Sequence, residues 1–235
     1  MNYNGFQNGN YSKRTFNEKV NERMNHIMDA MYAKLSWTAW RPEVSEWDKR
    51  GIDVILRRPG SDKMLWVDEK AATSCWNRNL NTFACELTCN RNVSGYGWFA
   101  KEQNDYYRNT HLGLIWVRAL EPECIHISHL TYRVINKADL QNYFLLATGM
   151  MKSDNTKEFL DTLTYDQNGK CKINDDLTIK RCNLMPEQTV VAIFSENILS
   201  HMCIFEQQFN RYEVRDALRE ARKDRELREL SENNK

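Results

Sequence analysis

The chain has 235 residues, a formal net charge of +1, an apolar share of 41% and seven cysteines. That length suits one sizeable domain with a real core, and no apolar run approaches the ~20 residues a membrane span needs. The near-neutral charge excludes coating of nucleic acid through a general positive excess, so any such contact must come from a local patch.

An odd cysteine number fits free thiols in a reducing compartment better than a disulfide framework. The opening MNYNGFQNGNYSKR is polar and lacks the apolar segment of a secretory signal. A cytoplasmic protein without a membrane partner is therefore expected. Residues 1–14 are expected to be a disordered tail, residues 15–205 an α/β domain, and residues 206–235 a charged C-terminal helix.

In chain order, Val20, Met24, Ile27, Met28, Met31 and Leu35 form one apolar stripe at helical spacing. SWTAWRPEVSEWDKR (36–50) reads as a loop, with Pro42 stopping any continuation. A hairpin follows in GIDVILRRPGSDKMLWVDEKAA (51–72), then a strand in NTFACELTCN (81–90). RNVSGYGWFAKEQNDYY (91–107) reads as a glycine-punctuated turn with a further strand or two, and THLGLIWVRAL (110–120) as a buried strand. A helix is expected over Lys137–Leu146 with Ala138, Leu140, Tyr143 and Phe144 inward, a short helix in DNTKEFLDTL (154–163), a turn in YDQNGKCKIND (165–175) and a strand in TVVAIFS (189–195). From Glu206 onward the charges alternate and nearly cancel, leaving Val214, Leu218, Ala221 and Leu227 as a sparse apolar face. This is expected to be a solvated helix, the alternative being a face for docking a partner or a homodimer. Helix, antiparallel strands, buried strand, helix: this order predicts an α/β fold with a central mixed β-sheet flanked by helices.

The hairpin carries the chemistry. With a turn over Pro59–Asp62, Arg58 pairs with Lys63, and the register carried back sets Asp53 opposite Asp68. Directly opposed side chains share a face, with Cβ atoms roughly 4.5–5.5 Å apart. Two carboxylates that close repel unless something positive joins them. Lys70 lies two residues beyond Asp68 on the same face, with Trp66, while Leu65 and Val67 form the core side. A slip of one residue would bring Glu69 opposite Asp53 and turn Asp68 away. Hard oxygen ligands of this kind suit Mg²⁺ or Mn²⁺ rather than zinc.

Other constellations are weaker. Cys124, His126 and His129 offer soft ligands without a fourth, and Cys85 and Cys89 lie too far apart along a strand for one tetrahedral ion. Cys171 and Cys182 flank a hairpin-like stretch. Trp37, Trp40 and Trp47 sit beside the hairpin, where they could pack or stack on bases. There is no phosphate-loop glycine pattern and no serine or cysteine nucleophile motif.

GIDVIL, a turn, then WVDEKAA resembles the PD-(D/E)XK nuclease superfamily, with its restriction-endonuclease-like fold. Asp53 matches the family's first acid and Asp68-Glu69-Lys70 its second element; the proline of the family name is replaced by Ile52. Downstream, Glu86 and Asp105-Tyr106 match a strand, glycine-rich turn and strand found in several members, so that the resemblance spans roughly residues 15–120. It implies a Mg²⁺- or Mn²⁺-dependent nuclease, with DNA placed ahead of RNA as substrate. Asp53, Asp68 and the Glu69 carbonyl would ligate the metal, Lys70 would orient the attacking water, and Glu86 would serve a second metal or a metal-bound water. Arg57, Arg58, Lys63, Arg78 and Arg91 are the candidate phosphate contacts. The alternatives are a catalytically inactive nucleic-acid- or protein-binding module on the same fold, and a zinc-stabilised accessory protein built around Cys124, His126 and His129.

Overall fold

The apolar stripe between Val20 and Leu35 belongs to α1 (Asn10–Lys34), which starts inside the stretch expected to be disordered. The structure, a computed structural model, describes residues 10–42, 51–88, 97–100, 109–151, 155–182 and 189–232. Val20, Met24, Ile27, Met28 and Met31 are all buried, one face of the helix seated on a sheet.

That sheet has six strands: β1 (Thr38–Trp40), β2 (Val54–Arg57), β3 (Met64–Ala71), β5 (His111–Ala119), β6 (Ile127–Asn136) and β10 (Cys203–Asn210), in that spatial order. β3 and β5 run parallel and the other neighbours antiparallel, so the sheet is mixed. A second, antiparallel sheet has the order β4 (Thr82–Thr88), β9 (Val190–Ser195), β8 (Leu177–Arg181) and β7 (Lys170–Lys172). Helices α2 (Lys137–Thr148), α3 (Thr156–Thr162) and α4 (Glu196–Met202) contribute to the core on that side, and α5 (Arg211–Glu232) packs on α1.

Two cores follow from this layering. Val54, Leu56, Leu65, Val67, Ile115 and Val117 point from the six-stranded sheet towards α1. Leu112 and Leu114 point the other way, into a core with Phe83, Phe99, Phe144, Leu177, Ile179 and Phe194. Each such burial is worth roughly 1.5–3 kcal/mol. The mixed sheet is thus flanked by helices on one face and largely by a second sheet on the other.

The larger sheet also curls. Trp37, just before β1, and Phe205 on β10 belong to opposite edges, yet their rings are 4.7 Å apart. Tyr32 stacks on Trp37 at 6.2 Å and meets Tyr132 edge-on at 5.7 Å, filling the concave side with aromatic rings.

Several element boundaries differ from the sequence reading. Thr38–Trp40 forms a short edge strand in the stretch expected to be a loop, with Pro42 just beyond it, where a proline no longer costs a ladder bond. The C-terminal helix starts at Arg211 rather than Glu206: Phe205 and Phe209 alternate towards the core, and this period of two makes β10. Val214 and Ala217 are buried and Leu218 packs beside them, whereas Ala221 is exposed. Ala138 is exposed too, and Lys137 takes an inward place on α2. Part of the stretch read as a turn, Lys170–Lys172, pairs as β7. The strands expected within 91–107 fall largely outside the described residues. No helix among the described residues is long and apolar enough to cross a membrane.

Candidate active site

The β2–β3 turn is built as Pro-Gly chemistry requires. Ser61 N donates to Arg58 O at 3.2 Å, Pro59 supplies a fixed φ, and Gly60 takes a φ of +71° that side chains disfavour. Val54 pairs with Val67, Ile55 with Trp66, Leu56 with Leu65 and Arg57 with Met64. The ladder ends there: Asp53, just before β2, donates its N to Val67 O at 2.9 Å instead of continuing the predicted register to Asp68, yet its carboxyl still meets that of Asp68.

The two carboxylates share a face. Lys70 Nζ lies 3.7 Å from Asp53 Oδ2 and also donates to Asp68 Oδ1. Asp53 is one-third exposed, Asp68 nearly fully buried. Burial pushes the Asp68 carboxyl up to about 7; Lys70 opposes the shift and Asp53 adds to it. Burial works to lower the Lys70 pKa, but Asp68 and then Asp53 outweigh it and hold the ammonium well above its usual value. The site is a partly desolvated acid pair bridged by one lysine and open to solvent on the Asp53 side.

Residues that the sequence reading did not single out complete this face. Asn109 Nδ2 donates to Asp68 Oδ2 at 3.4 Å, and Asn109 Oδ1 accepts from Lys137 Nζ at 3.3 Å. Lys137 is fully buried at the start of α2, where Asn136 caps the helix by accepting from Ala138 N, and its Nζ also donates to Trp98 O at 3.0 Å. The Trp98 ring lies 5.4 Å from Lys70 Nζ. From β4 it is Cys85 that enters: its thiol is buried and held far above its usual pKa, first by burial and then by Asp68. Strand alternation puts Glu86 on the opposite face of β4, its Cγ against Gly97.

Behind β3 is a second polar cluster, again absent from the sequence reading. Glu69, the residue between the two site residues of β3, points towards α1 and is only 5% exposed. Arg41 Nη1 donates to Glu69 Oε2 at 2.7 Å and, at 3.4 Å, to the Asp53 carbonyl, while Arg41 Nε holds Asp29 of α1 at 2.7 Å. Tyr32 OH donates to Glu69 Oε1, and its oxygen is hydrogen-bonded with Tyr132 OH at 2.9 Å. Burial raises the Glu69 pKa, with Arg41 and then Tyr32 opposing it. Glu69 N in turn donates to Asp53 Oδ2 at 2.7 Å. Glu69 therefore links both sides of the strand: its main chain steadies one site carboxylate while its side chain is clamped behind.

The candidate phosphate contacts divide. Arg57 is exposed on the face of Asp53. Arg58 lies over the Trp37 and Phe205 rings, 5.6 Å from each, on the other face. Lys63 is exposed in the turn, and Arg78 is exposed past the short helical turn that follows β3. Arg91, Cys89, Trp47 and Asp105-Tyr106 lie outside the described residues. Trp37 is buried among aromatic rings, whereas Trp40 is 52% exposed.

Cys124, His126 and His129 are not gathered into one site. Cys124 is buried in the α1-side core with its pKa pushed up to about 11, chiefly by burial; His126 pairs with Glu121 at 3.2 Å in the open; His129 is exposed on β6. Cys171 and Cys182 are both free thiols. Among the described residues no group of three or more His, Cys, Asp or Glu side chains could hold a metal ion. Two carboxylates are nonetheless a sufficient protein contribution for Mg²⁺, which keeps several waters and is commonly held by one or two carboxylates together with substrate phosphate.

No known family model, curated protein or solved structure matches the chain.

Proposed function

We propose that the protein is a Mg²⁺- or Mn²⁺-dependent nuclease that hydrolyses phosphodiester bonds at the Asp53–Asp68–Lys70 face, with DNA placed ahead of RNA. The observation that carries this reading is the pair of touching carboxylates at the open end of the β2–β3 hairpin, with Lys70 reaching both. A structural role explains such a pair poorly, since Asp68, even with Lys70 against it, is pushed up to about 7 and costs stability at neutral pH. The hard-oxygen donor set fits a divalent ion of the Mg²⁺ class, and Asp53 and Asp68 would hold it.

When bound, the ion supplies Lewis-acid polarisation of the phosphoryl group and a more acidic water. The chain's own residues do the remaining work. The scissile phosphate would sit against Asp53, which faces solvent, and Asp68, which is buried. Lys70 is the positive group at that point. With a cation held by Asp53 and Asp68, the Lys70 ammonium would be placed to steady phosphoryl charge or to hold the attacking water. Asn109 and Lys137 keep Asp68 oriented from below. Glu69 N fixes Asp53 Oδ2, and Arg41 fixes the Asp53 carbonyl.

The test is a cleavage panel: supercoiled, linear and single-stranded DNA, and RNA, with Mg²⁺, Mn²⁺ or EDTA, comparing wild type with Asp68→Ala and Lys70→Ala. Metal-dependent cleavage lost in both variants is the expected outcome. Folded wild type that binds nucleic acid tightly but cuts none of these would replace the nuclease by the inactive binding module.

A further inference from the structure

The charges of α5 nearly cancel along the sequence, but the helix sorts them by sign. Arg211, Arg215, Arg219 and Arg222 fall within an arc of about 80° around the axis. Val214, Ala217 and Leu218 lie on a second side and pack into the α1-side core. Glu213, Asp216 and Glu220 lie on the third. All four arginines are exposed, and Arg211, Arg215 and Arg219 follow one another at steps of about 6 Å along the axis. Tyr212, 53% exposed, is flanked by the first two: its ring centre is 4.7 Å from the Arg211 guanidinium and 5.4 Å from that of Arg215. Among the described residues, the carboxylates that meet this row are Asp216, 3.1 Å from Arg215, and Glu226, 3.0 Å from Arg222. Both pairs are exposed and therefore weak, so a stronger anion displaces them at little cost.

The occupant's chemistry follows from what the rest of the helix does. Its apolar side is seated in the core, so α5 cannot lie in a membrane surface by burying it. A second copy would have to present its acidic row to these arginines, and that row is largely engaged within its own chain. Glu213 meets Lys34 at 3.8 Å and accepts from Asn210 N at 2.9 Å, and Asp216 meets Arg215. Guanidinium forks at regular steps suit phosphates, which they grip with two parallel hydrogen bonds. A chain of net charge +1 needs such a local patch to hold nucleic acid. The ionised acid pair with Lys70 carries one excess negative charge and does not supply that attraction.

We propose that the Arg211–Arg215–Arg219 row grips the phosphate backbone of nucleic acid without regard to base sequence. The inference rests on the nuclease reading and names where that substrate is held. α5 packs on α1, whereas Asp53 and Asp68 lie on the other face of the sheet, so the row adds affinity without entering the chemistry.

The experiment measures binding of fluorescent duplex DNA, in EDTA, between about 50 and 200 mM salt. Wild type is compared with a triple variant, Arg211→Gln, Arg215→Gln and Arg219→Gln. A second triple variant, Lys157→Gln, Lys170→Gln and Lys180→Gln, removes the same charge from α3 and the second sheet. Urea unfolding checks that both variants fold, and cleavage of DNA and RNA in Mg²⁺ is followed alongside. The arginine variant should bind at least about tenfold more weakly at low salt. Its slope of log affinity against log salt should be shallower by about 2.7, the counterions of three phosphate contacts. The lysine variant should keep the wild-type slope. An arginine variant that binds like wild type, or an equal loss in the lysine variant, overturns the row; if metal-dependent cleavage persists in that case, the nuclease reading stands. Binding through the row with no nucleic acid cut keeps the row and replaces the nuclease by a binding module. Neither binding nor cleavage of any nucleic acid overturns both.

Discussion

Arg41 holds Glu69 at 2.7 Å on the side of β3 turned away from Asp68, and the same guanidinium reaches the Asp53 carbonyl at 3.4 Å. One arginine thus reaches both strands of the hairpin from behind the acid pair. Arg41→Met would leave a buried Glu69 charge facing only Tyr32, and breaking such a pair costs about 3 kcal/mol or more. Glu69→Gln placed on top of Arg41→Met should cost far less than it does alone. A double-mutant cycle by urea unfolding measures that coupling. Mn²⁺ affinity should fall about 10–100-fold in Arg41→Met, as expected for loss of a residue that orients a ligand.

The acid pair also predicts a pH dependence. Asp68 is raised in the folded state from 3.8 to about 7, so it binds its proton more tightly folded than unfolded. Its contribution to stability is complete below pH 4 and is lost as pH rises through about 7, at up to about 1.4 kcal/mol per pH unit. In EDTA, Asp68→Asn should therefore gain on wild type steadily between pH 5 and pH 7, with the difference levelling off above. Denaturant midpoints at matched pH read this directly; a difference that does not change with pH contradicts the assignment.

Lys137 contributes no charge to the open surface, and its acceptors in the core among the described residues include Trp98 O and Asn109 Oδ1. Lys137→Met should destabilise by about 1–3 kcal/mol by stranding them. It should also let Asn109 turn from Asp68, weakening Mn²⁺ binding, whereas Lys180→Met on the second sheet should do neither.

Gly113 sits beside Glu69 in the parallel β3–β5 pair, and a Cβ there would come within 2.9 Å of Val67 and 3.0 Å of the Tyr132 hydroxyl. Gly113→Ala should cost about 1–3 kcal/mol by overpacking. Because the Tyr132 hydroxyl is one of the atoms that a Cβ there would meet, the cost should shrink in a Tyr132→Phe background, measured by thermal unfolding.

How much of this could be read in advance depended on how local each signal is. The hairpin register was legible because its determinants lie within 20 residues: a Pro-Gly turn and a strict alternation of Leu65 and Val67 with Trp66 and Asp68. The strand around Glu86 was legible, but its facing was not, since only the docking of β4 on β5 decides that Cys85 looks at Asp68. β10 was hidden by the charged helix that follows it, although Phe205 and Phe209 alternate. Arg41, Asn109 and Lys137 look like ordinary loop and surface residues in one dimension. Their roles arise from α1, β3 and α2 packing residues that are 28 to 41 positions apart in the chain.

The central claim is that Asp53 and Asp68 form one cation site, and titration calorimetry with Mn²⁺ at pH 8 addresses it without requiring a substrate. The account predicts one ion per chain in wild type, with affinity reduced at least about tenfold in Asp53→Asn and in Asp68→Asn. Folded wild type that takes up no Mn²⁺, or variants that bind it as tightly as wild type, would contradict it.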